Sequence, residues 1–279
     1  SAGALSLIPF KKLLSSEHTI AAVGIYKPLV FNSKIIALEN ESLALAARQK
    51  NIPVIDLSLA VDDVLQQCSK YTVDVTLMSC YSKRLADEII NFSPLGCYNM
   101  HPSLLPRYRG PEPVFWQMQQ GADMGVSWHK VIADFDAGDI VGSKAVLLDD
   151  GDEYQAISLQ LANAGANLLS ALLAELSGDK VTAIAQEAAL ASYYPYPQEK
   201  DFMLDTRRSA QQLYNFMCAT QIFSQPYRCD VGKTRFNLVR ALDYDNNAEL
   251  DVVEVQADKL FIPCSEGVLI ASYTDKIPL

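Results

Sequence analysis

The 279-residue sequence predicts an α/β fold: a mostly parallel, twisted sheet with helices on both faces, followed by a small C-terminal β-barrel-like domain. In the first 150 residues, short apolar runs alternate with helix-like segments, which is typical of successive βαβ units. After residue 195, most of the regular pattern consists of short strand-like runs. A Pro-rich stretch at residues 193–197 separates the two regions. We therefore expect domains at residues 1–195 and 196–279.

The first domain is predicted from runs of β-branched and apolar residues that alternate with segments of helical periodicity. The predicted strands cover residues 19–25, 52–55, 73–78, 96–100, 124–131 and 140–148. The predicted helices cover residues 4–14, 41–50, 61–71, 82–91 and 153–176. Helix 4–14 follows a small-residue turn that normally comes after a first strand in such folds. We therefore expect a further strand before Ser1 in the natural protein.

The second domain is predicted to begin with a helix over residues 206–220, with Thr206 as its N-cap. Short strands follow at residues 235–242, 252–255, 260–262 and 268–273. Several short strands at this spacing suit a small barrel of the OB type.

Composition narrows the functional classes. The chain has 23 basic and 33 acidic side chains, a net charge of −10, which disfavours wide, sequence-blind binding to nucleic acid. Its six cysteines contain no Cys-x-x-Cys pair, so we expect reduced thiols, no metal site and a cytoplasmic location. No apolar run approaches the roughly 20 residues that span a bilayer, and we expect no membrane association.

Two polar side chains lie at the end of the predicted strand 96–100. Asn99 and His101 are two residues apart, so both side chains project from the same side of an extended chain. They lie at the carboxyl edge of the predicted parallel sheet, where α/β folds place their sites. Asp136 lies in an acidic, Gly-containing turn between the next two predicted strands, from which its carboxylate can reach back to the histidine.

An imidazole, an amide and a carboxylate form a workable set for acyl transfer. His101 can accept a proton from an amine near pH 7, Asn99 can donate a hydrogen bond to an oxyanion, and Asp136 can orient the histidine. A structural role for His101 and a turn-capping role for Asp136 are the alternatives. For His129, support of the site and plain packing are both open.

At these residues the sequence resembles the folate-dependent formyltransferase family, which includes methionyl-tRNA formyltransferase-like enzymes and sugar N-formyltransferases. The string N-x-H-P-S-L-L-P-x-x-x-G is matched in full at residues 99–110. A later pattern, G-x-[ST]-x-H followed by D-x-G, is matched at Gly125, Ser127, His129, Asp136 and Gly138. Two motifs in this order and at this spacing make a specific signal.

The resemblance implies that Asn99, His101 and Asp136 are catalytic and that 10-formyltetrahydrofolate is the formyl donor. It implies further that two segments line the site of the donor's pteridine ring. Their residues are Lys83, Arg84, Leu85, Ile132, Ala133 and Asp134.

The acceptor is predicted from charge. Residues 201–279 resemble the C-terminal barrel of tRNA-formylating relatives but carry 8 basic and 11 acidic side chains, whereas a tRNA-binding surface is normally basic. We therefore expect a small primary amine, such as a nucleotide-linked amino sugar or an aminoacyl group, as the acceptor. The loop residues expected to contact it are Ser103, Arg107, Tyr108 and Arg109, although the loop could equally be only solvated.

Three alternatives remain at this point. A methionyl-tRNA formyltransferase would use the same residues on a larger acceptor. A formyltetrahydrofolate hydrolase would use water in place of the amine. A folate- or nucleotide-binding module would bind without turnover. The oligomeric state is not predicted.

Overall fold

The computed structural model describes residues 3–26, 30–31, 34–35, 38–79, 81, 83–178 and 180–278. Its helices are α1 (Gly3–Leu14), α2 (Leu38–Gln49), α3 (Val61–Cys68), α4 (Asp87–Ile90), α5 (Pro113–Gln120), α6 (Tyr154–Ser177) and α7 (Ala210–Thr220). Its strands are β1 (Val23–Ile25), β2 (Val30–Phe31), β3 (Lys34–Ile35), β4 (Val54–Asp56), β5 (Thr76–Ser79), β6 (Cys97–His101), β7 (Met124–Lys130), β8 (Ile140–Val146), β9 (Tyr227–Val231), β10 (Thr234–Asp245), β11 (Glu254–Gln256), β12 (Lys259–Pro263) and β13 (Val268–Pro278). Strands and helices are interspersed up to α6, so the α/β class is confirmed.

The chain divides into two compact units. The first consists of Ser1–Pro111, Met124–Val146 and Ser158–Tyr194. The second consists of Glu112–Asp123, Leu147–Ile157 and Pro195–Leu279. The long segment of the second unit begins at Pro195, and its two shorter segments come from earlier in the chain. The division into domains at residues 195 and 196 stays a prediction.

The first unit has mixed rather than mostly parallel strand pairing, which corrects the prediction. β1 pairs with β4 and β5 pairs with β6 in parallel, but β7 is antiparallel to both β6 and β8. β7 and β8 are antiparallel because the connection between them, residues 131–139, is short. Parallel pairing requires a crossover of about a dozen residues or more. The placement of helices on both faces stays a prediction.

A cavity of about 800 Å³ lies between β1 and β5. Val23 and Ile25 line it from β1, Thr76 and Met78 line it from β5, and Phe10 lines it from α1. Within the described ranges, β1 is paired only with β4 and β5 only with β6. Each strand therefore has one unpaired edge at the cavity. The strand expected before Ser1 stays a prediction.

Helix α6 is long and apolar enough, by length and composition, to cross a membrane. This corrects the expectation that no apolar run approaches that length. Half of its most apolar stretch is buried, including Leu161, Leu169 and Leu172. The indole Nε1–H of Trp128 also donates to the Gly165 carbonyl of α6, at 2.8 Å. These contacts are those of a core helix, and buried core helices can have the same length and apolar composition as membrane-spanning ones.

The second unit contains α7 and a five-stranded antiparallel sheet. Helix α7 begins at Ala210, where the Ser209 hydroxyl accepts a hydrogen bond from the Gln212 N–H, so the predicted start and cap at Thr206 are wrong. The strand order is β11-β12-β13-β10-β9, and β9 was not predicted. In the part of the chain described, the two edge strands do not pair with each other. The sheet is therefore open, and it is consistent with a barrel-like domain.

Phe115 of α5 is central to the core of the second unit, as expected for a packing residue. It is fully buried, and its ring centroid lies 5.1 to 5.4 Å from the centroids of the Phe202, Phe216 and Phe223 rings. Edge-to-face and tilted arrangements of this kind are favourable for aromatic pairs. The neighbouring Trp116 is also buried, and its Nε1–H donates to the Pro195 carbonyl at 2.9 Å.

Candidate active site

Strand β6 places the first two predicted catalytic residues. Its five residues, CYNMH, are all buried, with Asn99 7% exposed and His101 4% exposed. Strands that are buried on both faces read as apolar runs. An amide and an imidazole at the end of such a strand therefore need partners within the protein.

The loop between β7 and β8 places the third residue. Asp136 has a φ of +51°, a left-handed conformation that Asp tolerates better than most residues. Its Oδ2 accepts a hydrogen bond from the Gly110 N–H at 2.9 Å. Two residues on, a Cβ at Gly138 would lie 1.9 Å from the Lys130 carbonyl oxygen, so only glycine fits there. The D-x-G motif thus has a steric basis in this hairpin.

The structure brings the three predicted catalytic residues into one cluster, in which His129 links Asn99 to the Asp136 carboxylate. Asp136 Oδ1 lies 3.6 Å from His101 Nδ1. The same oxygen lies 3.4 Å from Nε2 of His129, which in turn lies 3.2 Å from Asn99 Nδ2. Asn99 Oδ1 is buried and has no hydrogen-bond partner within the described part of the chain. The cluster therefore contains four side chains rather than three.

The carbonyl group of Tyr108, in the loop after β6, determines the tautomer of His101. His101 Nε2 lies 2.8 Å from the carbonyl oxygen of Tyr108. A carbonyl only accepts, so Nε2 carries the hydrogen and, in the neutral ring, Nδ1 has the free lone pair. Tyr108 has a φ of +59°, its N–H donates to Ser192 Oγ at 2.9 Å, and its ring stacks on Tyr194. The basic nitrogen of His101 therefore faces Asp136.

Burial and neighbouring groups determine the protonation states of His101 and Asp136. Burial lowers the pKa of His101 below its ordinary value of 6.5, against the opposing influence of Asp136, so the ring is neutral at pH 7. Burial by itself would raise the pKa of Asp136. The nearby His101, the contact with His129 and the Gly110 N–H outweigh it and lower that pKa to about 2. A neutral base thus faces an ionised carboxylate in a largely buried site.

Gln186 holds the loop of Asp136, and the sequence analysis missed it. Its Nε2 donates to the carbonyls of Asp136 and Gly138 at 2.8 and 2.7 Å. Its Oε1 accepts from Arg109, with Nε at 3.1 Å and a terminal nitrogen at 2.6 Å. Gln186 lies in an irregular segment after α6, so no periodicity or motif could have indicated it.

Both motifs lie within the part of the chain that matches a known protein family. A family model described as formyl transferase matches residues 31–173, more than half of the chain. This chain belongs to the formyl transferase family. The methionyl-tRNA formyltransferase of Sulfurihydrogenibium sp. (strain YO3AOP1) is 28% identical over 236 residues, which cover 84% of this chain and 74% of that protein. The one of Kosmotoga olearia is 25% identical over 270 residues, with 93% and 85% covered.

A solved structure shares the fold of this formyltransferase. The N-formyltransferase from Helicobacter canadensis, in complex with folinic acid and dTDP-3-aminofucose, has a TM-score of 0.67 at 14% identity. The likeness covers 96% of this chain and 95% of that one. At this identity the likeness shows the fold alone. Together with the family match, it confirms the resemblance inferred from the sequence, and the chain is an enzyme of this family.

The residues expected to bind the formyl donor occupy different environments. The Lys83 ammonium lies 3.6 Å from the centroid of the Tyr26 ring, and Lys83 and Leu85 both line the cavity between β1 and β5. Arg84 is exposed and pairs with Asp87 at 3.4 Å. In the acidic turn, Ile132 is 41% exposed, and Ala133 and Asp134 are exposed too. Their roles in this formyltransferase stay predictions.

The residues expected to contact the acceptor are mostly used within the loop itself. Ser103 is fully buried, and its hydroxyl donates to the Arg107 carbonyl at 2.8 Å. Arg109 holds Gln186, and Tyr108 holds His101 through its carbonyl. Arg107 is the exposed member of the four. Contact of these side chains with an acceptor stays a prediction.

Cys97 lies on β6 with Asn99 and His101, but its thiol is not suited to nucleophilic attack. The Cys97 thiol is buried, and burial raises its pKa to about 12, so it stays protonated. Cys80, on the segment after β5, lies outside the described residues. No group of three or more His, Cys, Asp or Glu side chains in the described ranges could hold a metal ion.

Proposed function

We propose that this chain is an N-formyltransferase that moves the formyl group of 10-formyltetrahydrofolate to a primary amine of a small acceptor. The single observation that carries the proposal is the buried cluster in which the basic nitrogen of His101 faces the carboxylate of Asp136 beside the amide of Asn99. The solved relative that holds folinic acid and a nucleotide-linked amino sugar supports both the donor and the class of acceptor.

His101 supplies the base for this reaction. The lone pair of the acceptor nitrogen attacks the formyl carbon, a C–N bond forms, and the carbonyl π electrons move to oxygen. The proton that the nitrogen must lose goes to His101 Nδ1, because Nε2 already donates to the Tyr108 carbonyl. The resulting imidazolium faces ionised Asp136 at 3.6 Å, and this attraction stabilises the charge as it develops. The oxyanion pair then re-forms the carbonyl as the bond from the formyl carbon to the folate nitrogen breaks. That nitrogen takes the electron pair of the broken bond and the proton that His101 had accepted, which restores the neutral imidazole.

Asn99 has two chemical functions at this point. Its Nδ2 has two hydrogens, of which one contacts His129, so the other can donate to the oxyanion of the tetrahedral intermediate. Its Oδ1 is a buried acceptor with no partner among the described residues, a costly arrangement in a folded protein. An N–H of a bound amine would satisfy it. We therefore assign to Asn99 both orientation of the acceptor and stabilisation of the intermediate.

A small acceptor is supported by charge. The chain carries a net charge of −10, and residues 201–279 are net acidic, with 8 basic and 11 acidic side chains. Phosphate-rich partners bind through clustered Lys and Arg. A nucleotide-linked amino sugar needs only local contacts, for which the exposed Arg107 is available. We place the enzyme in the cytoplasm, as expected from its cysteine usage.

Methionyl-tRNA formylation is the second candidate. It is favoured by the relatives, since the methionyl-tRNA formyltransferase of Sulfurihydrogenibium is 28% identical over 84% of this chain. The catalytic cluster would be the same in either case, and only the acceptor would differ.

An acceptor panel tests the proposal. The purified chain is incubated with 10-formyltetrahydrofolate and nucleotide-linked amino sugars, methionyl-tRNA, or no amine, and N-formyl products are measured by mass spectrometry. We expect a formylated amino sugar, with turnover lowered about 10²-fold or more in His101→Ala. Faster formylation of methionyl-tRNA than of the amino sugars would show that methionyl-tRNA is the preferred acceptor. Donor consumption without amine would indicate a hydrolase, and folate binding without turnover would indicate a binding module.

A further inference from the structure

His129 contacts two of the three predicted catalytic side chains, although it is not among them. It lies on β7 directly opposite Asn99 on β6 and is 2% exposed. One ring nitrogen, Nε2, lies 3.2 Å from Asn99 Nδ2 and 3.4 Å from Asp136 Oδ1. A residue that only filled space would not need a polar atom aimed at both groups.

The backbone fixes which nitrogen of His129 carries the hydrogen. Nδ1 lies 2.9 Å from the carbonyl oxygen of Lys130, which can only accept, so Nδ1–H is the donor. In the neutral ring, Nε2 is then an acceptor that takes a hydrogen from Asn99 Nδ2 and has no hydrogen to donate to Asp136 Oδ1, 3.4 Å away. A ring that also carried a proton on Nε2 would donate it to Asp136 and leave Asn99 without this contact. If the amide were turned round, Oδ1 of Asn99 would face the Nε2 lone pair at the same distance, and two acceptors would repel each other.

We propose that His129 is a positioning residue whose Nε2 lone pair holds the Asn99 amide with Nδ2 towards β7 and Oδ1 free for the attacking amine. The proposal rests on the formyl transfer proposed above, because it assigns to His129 the orientation of a group used there. It accounts for the buried Oδ1 of Asn99, for which the described residues supply no hydrogen-bond donor. Without His129, the amide could turn and present its NH₂ end where the acceptor nitrogen needs a hydrogen-bond acceptor.

Two substitutions of similar size separate positioning from packing. His129→Gln keeps a side-chain oxygen that can accept from Asn99, whereas His129→Leu fills the same space without an acceptor. Val126→Ala is the matched control: Val126 is fully buried on the same strand and packs beside Gly165 of α6. We expect His129→Leu to lower kcat by about 10- to 100-fold with the KM for the donor unchanged within about 3-fold. His129→Gln should stay within about 3-fold of the parent kcat, and Val126→Ala should lower the Tm only.

Kinetic and NMR measurements can each overturn the proposal. A kcat of His129→Leu equal to that of the parent, or a loss in His129→Gln as large as in His129→Leu, assigns the residue to packing. Nitrogen-15 NMR of the labelled parent protein tests the contact without any turnover: Nδ1 of His129 should be protonated and Nε2 unprotonated at pH 7. A proton on Nε2, in the reverse tautomer or in the doubly protonated ring, would reject the proposal. If no amine is formylated by the parent, the proposed function fails, while the NMR result still decides the contact.

Discussion

At the scale of single residues, the ionised carboxylate of Asp136 is the feature on which the site depends. Its positive φ and its contact with the Gly110 N–H are both compatible with asparagine, which tolerates the left-handed region and has an accepting oxygen. Asp136→Asn therefore removes the charge while keeping the shape. We expect kcat to fall about 10²-fold or more, because the imidazolium of His101 loses its counter-ion. Steady-state kinetics measure the kcat of Asp136→Asn, and circular dichroism checks that the variant is folded. A kcat within about 3-fold of the parent would show that the charge of the carboxylate is not needed.

The same carboxylate should contribute to acid stability. The pKa of Asp136 is about 2 in the folded protein against an ordinary value of 3.8, so the unfolded chain binds a proton first as the pH falls. The contribution, about 2 kcal/mol, is fully present above pH 3.8 and is lost as the pH falls towards 2. Urea unfolding of the parent and Asp136→Asn at a series of pH values should show the two free energies of unfolding converging in that range.

His101 should affect the free energy of unfolding at a higher pH than Asp136 does. Burial lowers its pKa below 6.5, so the folded protein resists the proton that the unfolded chain accepts. This destabilisation is absent above pH 6.5 and grows as the pH falls below it, until the folded pKa is reached. We expect the free energy of unfolding to decline below pH 6.5 more steeply in the parent than in His101→Gln. Parallel slopes in the two proteins would show that His101 does not carry the effect.

At the scale of elements, Gln186 connects the irregular segment after α6 to the loop between β7 and β8. Gln186→Ala leaves two loop carbonyls and the Arg109 guanidinium without these contacts. We expect a loss of about 1–3 kcal/mol of stability and a fall of about 10-fold in kcat, because the Asp136 carboxylate is less well held. Glu187→Ala, at the exposed next residue, is the control. Equal kcat values for the two variants would argue against the role of Gln186.

The turn between β12 and β13 requires a glycine at residue 267. Its φ is +73°, and a Cβ there would lie 2.4 Å from the carbonyl oxygen of Asp245. Gly232 also has a positive φ, +58°, but a Cβ there would meet nothing within 4 Å. Gly232→Ala should cost about 1 kcal/mol from the backbone alone, and Gly267→Ala about 3 kcal/mol or more. Thermal unfolding of both variants measures the difference, and equal Tm values would show that the turn can relax.

The sequence predicted the parts of this molecule that depend on local pattern. Asn99 and His101 could be placed because a strand alternates its side chains, and Asp136 because its motif recurs at a fixed spacing. Gln186 and the central position of His129 could not, since both depend on contacts between segments distant in sequence. The mostly parallel sheet was predicted wrongly because alternating strands and helices do not reveal the direction in which β7 returns beside β6.

At the scale of the whole molecule, charge and sequence similarity favour different acceptors. The two relatives described above are methionyl-tRNA formyltransferases, 28% and 25% identical to this chain, which carries a net charge of −10. The acceptor contacts proposed for Asn99 and Arg107 lie in the first unit, together with the catalytic cluster. The acceptor panel distinguishes a small amine from methionyl-tRNA.

The cavity between β1 and β5 has a consequence for hydrogen exchange. The backbone amides on the facing edges of these two strands have no ladder partner in the described ranges, whereas β6 and β7 are paired on both sides. Local opening should therefore cost less free energy near β1 and β4 than in β6 and β7. Deuterium uptake followed by mass spectrometry should be faster in peptides covering residues 20–26 and 52–57 than in those covering 97–101 and 124–130. An additional strand inserted between the two edges would slow that uptake, so deuterium labelling can report when this gap is filled.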